Sequence, residues 1–147
     1  MKYLLAIDPG AKTGVAMFFR QPPAPWALDK VYTVAVPGWE EYVYPPSDML
    51  VVIENPVIYP NGKARPKDVL TLARIVGRYP ERYCRYEQRL VEPRDWKGSV
   101  DGDIMTARIR DALTPHERIT VGAADHNALD AVGLGKWSLR QPWMRGR

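Results

Sequence analysis

A chain of 147 residues suits one domain with one core, and a hydrophobic share of 46% is enough to build it. Lys and Arg number 21 against 17 Asp and Glu, a net charge of +4 that is compatible with a polyanionic partner but too modest to establish one. The single cysteine, Cys84, excludes an internal disulfide and a cysteine-based zinc cluster. Asp8 cuts the N-terminal apolar run too early for a signal peptide, so a cytoplasmic protein with no membrane span is expected.

Residues 3–7 form a short apolar run that ends in the turn signature Asp8-Pro9-Gly10, and residues 14–19 form a second run. Two such runs joined by a short glycine-containing loop predict an antiparallel hairpin. A third strand is expected at 30–36, after a proline-rich break. Met49-Leu50-Val51-Val52-Ile53 is apolar without alternation, as in a central strand covered on both faces, and it ends in Glu54-Asn55-Pro56.

A loop rich in Pro, Gly and cations leads to a helix over 68–79, with Asp68 as its expected cap. Its Val69, Leu70, Leu72, Ala73, Ile75, Val76 and Tyr79 spread wider than one stripe, which predicts a second buried side against this chain or a partner. A strand within 83–91, an amphipathic helix over 103–113 and a helix over roughly 126–138 complete the expected elements. The tail beyond about residue 138 is expected to fray. The order predicts one α/β domain, a mixed five-stranded sheet with helices packed on its faces. Trp26, Trp39, Trp96, Trp137 and Trp143 read as packing residues, and His116 as a helix-terminus residue without chemistry.

Three acids stand where the hydrophobic pattern argues against them. Asp8 ends Leu4-Leu5-Ala6-Ile7, Glu54 ends Leu50-Val51-Val52-Ile53, and Asp130 lies within Ala128-Leu129-Asp130-Ala131-Val132. A lone buried carboxylate costs several kcal/mol or takes up a proton, whereas a shared divalent cation accounts for all three. If the first and fourth strands are parallel neighbours, Asp8 and Glu54 emerge at one sheet edge, where ligands bind in such sheets. Oxygen donors suit Mg²⁺ or Mn²⁺ better than zinc. Each acid also has a plainer reading: Asp8 as a turn residue, Glu54 paired with Lys67 or Arg94, and Asp130 on a solvent-facing helix side.

In their order and spacing, Asp8-Pro9-Gly10-Ala11-Lys12-Thr13-Gly14, Val51-Val52-Ile53-Glu54 with the following basic loop and helix, and Asp125-His126-Asn127-Ala128-Leu129-Asp130 resemble the motifs of RuvC-type Holliday-junction resolvases. The likeness runs from residue 2 to about 137, and the compact length is most similar to phage-encoded members. The resemblance implies an RNase H-like fold and a homodimer built largely on the 68–79 helix. It implies paired nicks in four-way DNA junctions, with two divalent ions, Mg²⁺ or substituting Mn²⁺, held by Asp8, Glu54 and Asp130. Lys97 matches one of the family's lysines, while Asp101-Gly102-Asp103 stands where a second is usual. Asn127 replaces the acid or histidine usual three residues before the last acid.

The additional metal-site acid is therefore sought among Asp125, His126 and Asn127, and Asp125 is the expected one. Asp125 is the better electrostatic partner, although it also reads as a helix cap, and His126 is expected beside the attacking water or the phosphate. Lys12, Lys63, Arg65, Lys67, Arg94 and Lys97 are the expected phosphate contacts, and Tyr59 the expected base-stacking residue. Two rivals remain. An ATP- or sugar-phosphate-binding relative would need two such domains, and a non-cleaving junction- or RNA-binding module would have no need of all three acids.

Overall fold

The computed structural model describes residues 2–35, 48–57 and 65–147. Strands β1 (Lys2–Asp8), β2 (Lys12–Arg20), β3 (Ala27–Ala35), β4 (Met49–Glu54) and β5 (Glu87–Val91) form one sheet in the order β3-β2-β1-β4-β5. The first three run as an antiparallel meander, while β4 is parallel to both β1 and β5. Every residue of β4 is buried, as its unbroken apolar run requires of a central parallel strand.

Alternation along the strands divides the core in two. Leu4, Ala6, Ala16, Phe18, Leu50 and Val52 pack against helices α3 (Gly102–Asp111), α4 (Pro115–Val121) and α5 (His126–Ser138). Leu5, Ile7, Val15, Val51 and Ile53 face the other way, onto Ile75 and Tyr79 of α1 (Pro66–Arg82). Gly135 lets α5 approach the sheet, since a Cβ there would lie 2.2 Å from the Phe18 ring.

Some local expectations change. Helix α1 starts at Pro66, with Arg65 at the cap position and no side-chain cap. Asp68 sits inside the first turn and pairs with Arg65 at 3.1 Å, because a proline at the first helical position brings the start forward. The breadth of α1 is only partly used: Ile75, Val76 and Tyr79 are buried, while Leu70 stays 60% exposed. The predicted 83–91 strand begins at Glu87, after a turn closed by Tyr86 N–H donating to the Tyr83 carbonyl.

Two short helices were not anticipated, α2 (Pro93–Trp96) and α4, the latter opened by a capping box between Thr114 and Glu117. The tail docks rather than frays. Met144 is 4% exposed in the core, Arg147 pairs with Glu87, and Arg20 donates to the Arg147 carbonyl. No helix among the described residues is long and apolar enough to cross a membrane.

Candidate active site

The parallel pairing of β1 with β4 brings Asp8 and Glu54 together: Ile7 lies opposite Ile53, and each strand ends one residue later. Along the same row Gly14 of β2 lies opposite Asp8, and Thr33 of β3 opposite Gly14. The start of α5 crosses this row. A Cβ on Gly14 would stand 1.8 Å from the Asn127 carbonyl oxygen, so only glycine lets the helix lie so close to the strand beside Asp8. The helix then carries Asp130 towards Glu54, and α2 closes the other side with Trp96 and, just after it, Lys97.

Two of the acids, Glu54 and Asp130, pair with one amine, and Asp8 lies within reach of the charges of all three. Lys97 Nζ lies 3.1 Å from Glu54 Oε2 and 3.3 Å from Asp130 Oδ2. The side chains of Glu54, Asp130 and Lys97 are only 8%, 19% and 23% exposed, so these charges interact with little water between them. Asp8 is held well above the ordinary carboxylate range, first by burial and then by the negative charges of Glu54 and Asp130, with Lys97 only partly compensating. Burial works against the Lys97 ammonium, but Glu54, Asp130 and Asp8 outweigh it and shift its pKa upward. The pocket thus holds more negative charge than one lysine neutralises.

Among the described residues no three Asp, Glu, His or Cys side chains stand as a ready-made cation cage. The ammonium of Lys97 occupies the place between Glu54 and Asp130 instead. The donor set still fits a divalent ion: it is all carboxylate oxygen, two of the acids already hold a positive group, and Asp8 is only partly compensated by Lys97. Glu54 does pair with a cation, as its plainer reading expected, but the partner is Lys97 rather than Lys67 or Arg94.

Trp96 is the residue that sequence reasoning missed. Its Nε1 donates a 2.7 Å hydrogen bond to Glu54 Oε2, and Lys97 Nζ lies 4.9 Å from the centre of its ring. Gly133 of α5 admits the indole, since a Cβ there would come within 2.7 Å of it. Trp96 therefore orients an acid besides filling space.

Asp125 caps α5. Its Oδ1 accepts from the Ala128 amide at 3.0 Å and from the Thr33 hydroxyl at 2.6 Å. These bonds hold its carboxyl below the usual range, Thr33 contributing most. Thr33 lies two strands from β1, roughly 10 Å across the sheet, so the bond ties Asp125 to the β3 side and away from the acid cluster. The geometry gives Asp125 to the cap rather than to the metal site. His126 is exposed at the first turn of α5, and Asn127 is half-buried against Gly14.

The ends of β1, β4 and β5 and the start of β2 share one edge, which places Lys12, Arg94 and Lys97 at the edge that carries the acids, while Arg65 and Lys67 lie at the start of α1. Lys12 and Lys67 are exposed, whereas Arg94 is engaged by Glu92 at 2.8 Å and Arg65 by Asp68. Tyr59 and Lys63, like Trp39, lie outside the described residues.

A mixed sheet of this order with helices on both faces defines the RNase H-like α/β class. No family model matches the chain, and no curated protein sequence does. Its fold is nevertheless that of RuvC-type structures. A Thermus thermophilus RuvC in complex with Holliday junction substrate superposes with a TM-score of 0.59 and 11% identity, covering 92% of this chain and 91% of that one. Another Thermus thermophilus RuvC structure gives a TM-score of 0.51 at 11% identity, with 92% of each chain covered.

Proposed function

We propose that this chain is a divalent-metal-dependent endodeoxyribonuclease that resolves four-way DNA junctions by paired phosphodiester hydrolysis, acting in the cytoplasm as a homodimer. The observation that carries the reading is the clustering of three acids at the carboxyl edge of the sheet, Glu54 and Asp130 paired with Lys97 and the buried Asp8 close enough to feel all three charges. The junction, rather than another nucleic acid, is favoured by the Holliday junction substrate that the similar RuvC structure binds.

Asp8, Glu54 and Asp130 would hold Mg²⁺, or Mn²⁺ in its place; two such ions, when bound, supply an activated water and a stabilised leaving oxygen for in-line attack on phosphorus. The chain's own groups do the rest. Trp96 orients Glu54, and Gly14 admits the start of the helix that carries Asp130. Lys97, released from the carboxylates by the ions, would be free to contact the scissile phosphate. Lys12, Arg65, Lys67 and Arg94, with Lys63 from the neighbouring loop, would hold flanking phosphates, and Tyr59 would stack on a base at the junction centre. The exposed Leu70 side of α1 would meet its copy in the dimer, which matches the two-fold symmetry of an open junction.

A second reading is favoured by Lys97 itself. A module that binds junctions without cutting them would keep Glu54 and Asp130 neutralised by this lysine and need no ion. The two separate on Asp8→Asn, Glu54→Gln and Asp130→Asn. Under the nuclease reading each abolishes cleavage and leaves junction binding intact or tighter, since a negative charge near DNA is removed. Near-normal turnover in any one of them removes that residue from the site.

A further inference from the structure

On the face of the sheet opposite the acids, two buried hydroxyls join α1 to the turn that follows Asp8. The Tyr79 hydroxyl donates to Thr13 Oγ1 at 2.7 Å, and both residues are 0% exposed. Thr13 in turn donates to the Gly10 carbonyl at 3.2 Å and accepts from the Gly10 amide at 3.3 Å. A hydroxyl offers one donor and two acceptor positions, so that of Thr13 is fully used. Both backbone groups of Gly10 are gripped by one side chain, two residues after Asp8. At Gly10 a Cβ would come within 3.0 Å of the Lys12 carbonyl, so the turn is also tightly closed.

Packing does not require this pair. Phenylalanine at 79 and valine at 13 would fill nearly the same space, and replacing both partners of a buried hydrogen bond by apolar groups of the same shape is close to neutral for stability. What the hydroxyls add is a fixed position for the Pro9-Gly10 peptide, and hence for the end of β1.

We propose that Tyr79, acting through Thr13, is a positioning residue that holds the Asp8-Pro9-Gly10 turn so that Asp8 meets a divalent ion in register with Glu54 and Asp130. This rests on the reading of Asp8 as a metal ligand. It makes α1 a setter of site geometry through a side chain that never reaches the site.

The test uses the full chain with Mn²⁺ as the probe, its affinity measured by titration calorimetry without DNA. Tyr79→Phe and Thr13→Val each weaken Mn²⁺ binding about tenfold, the low end of losses from supporting hydrogen bonds around metal ligands. The double variant is no worse than either single one, because both cut the same chain of bonds. Thr13→Ser, which keeps the hydroxyl, binds as the unaltered protein does, although it loses a buried methyl group that a purely structural role would register. Amide exchange supplies a readout independent of metal: the Gly10 amide exchanges faster in Tyr79→Phe while the strand amides of β4 do not.

Unaltered Mn²⁺ affinity in Tyr79→Phe overturns the proposal, as does unaltered Gly10 exchange. If the unaltered chain binds no Mn²⁺, the ligand reading of Asp8 falls, and with it the metal half of this proposal. Faster Gly10 exchange would then still support the hold on the turn.

Discussion

Trp96 and Glu54, 42 residues apart in sequence, are joined by a 2.7 Å hydrogen bond from the indole Nε1 to a carboxylate oxygen that is almost completely buried. The bond gives one acid of the cluster a fixed orientation before any ion or phosphate arrives. A pre-oriented ligand loses less freedom on binding than one that must be ordered.

Replacing Trp96 by Phe removes the donor and leaves that oxygen to Lys97 alone. Hydrogen bonds to charged groups contribute about 1.5–3 kcal/mol, and a loss in this range is expected in urea denaturation of the metal-free protein. Mn²⁺ affinity should fall roughly tenfold in the same variant. A variant as stable as the original, with unchanged metal affinity, would make the indole a packing residue after all.

Lys97→Met leaves Glu54 and Asp130 facing each other without their cation. Removing one partner of a buried pair costs about 3–5 kcal/mol, and Lys97 at 23% exposure should fall below that range because water reaches part of it. The variant should therefore melt earlier in EDTA. It should gain more than the unaltered protein when Mg²⁺ is added, because the ion takes over the neutralisation. Equal shifts with Mg²⁺ would separate the lysine's place from the metal's.

Asp8 carries the pH dependence. Its folded pKa lies well above the ordinary 3.8, so the folded chain binds this proton more tightly than the unfolded chain does. The stabilisation from that proton is fully present below pH 3.8 and is lost as the pH rises through the raised folded value. Asp8→Asn removes this loss, so the metal-free variant should melt higher than the original at neutral pH. Divalent ions need the ionised form, so their binding should weaken as the pH falls. A lower melting temperature for Asp8→Asn in EDTA at pH 7 would count against the repulsion described here.

Asp125 tests the line between cap and ligand. Asparagine caps helices about as well as aspartate and can still accept from Thr33, whereas alanine can do neither. Asp125→Asn should keep its metal requirement and cutting rate, and Asp125→Ala should lose about 1 kcal/mol of stability, a typical cap loss. If Asp125→Asn instead needs far more Mg²⁺ to cut, the residue belongs with the metal site despite its bond to Thr33.

Asp8, Glu54 and Asp130 were legible because an acid ending an apolar run breaks a strong local pattern. The unbroken apolar run of β4 marked a central strand covered on both faces, but its parallel pairing with β1 entered only as a condition, because an apolar run does not name its neighbour. Thr114-Pro115-His116-Glu117 held a readable capping box, so α4 could have been found. Trp96 could not. A four-residue helix has no periodicity, and a contact across 42 positions leaves no local trace. The same holds for Thr33, whose bond to Asp125 spans 92 positions and decides which side of the sheet that acid serves. Tyr79 looked like one more apolar position on α1, because its ring obeys the hydrophobic pattern and only its hydroxyl does not.

The proposed activity is the cutting of four-way junctions with ions held by Asp8, Glu54 and Asp130. The direct measurement is cleavage of a four-way junction labelled on each strand in turn, with Mg²⁺, Mn²⁺ or EDTA, by the unaltered protein and Asp8→Asn. Paired nicks are expected at symmetry-related positions on two opposing strands, dependent on the ion and absent in Asp8→Asn. Junction binding without cuts under every metal would contradict it, and so would cuts that persist in EDTA.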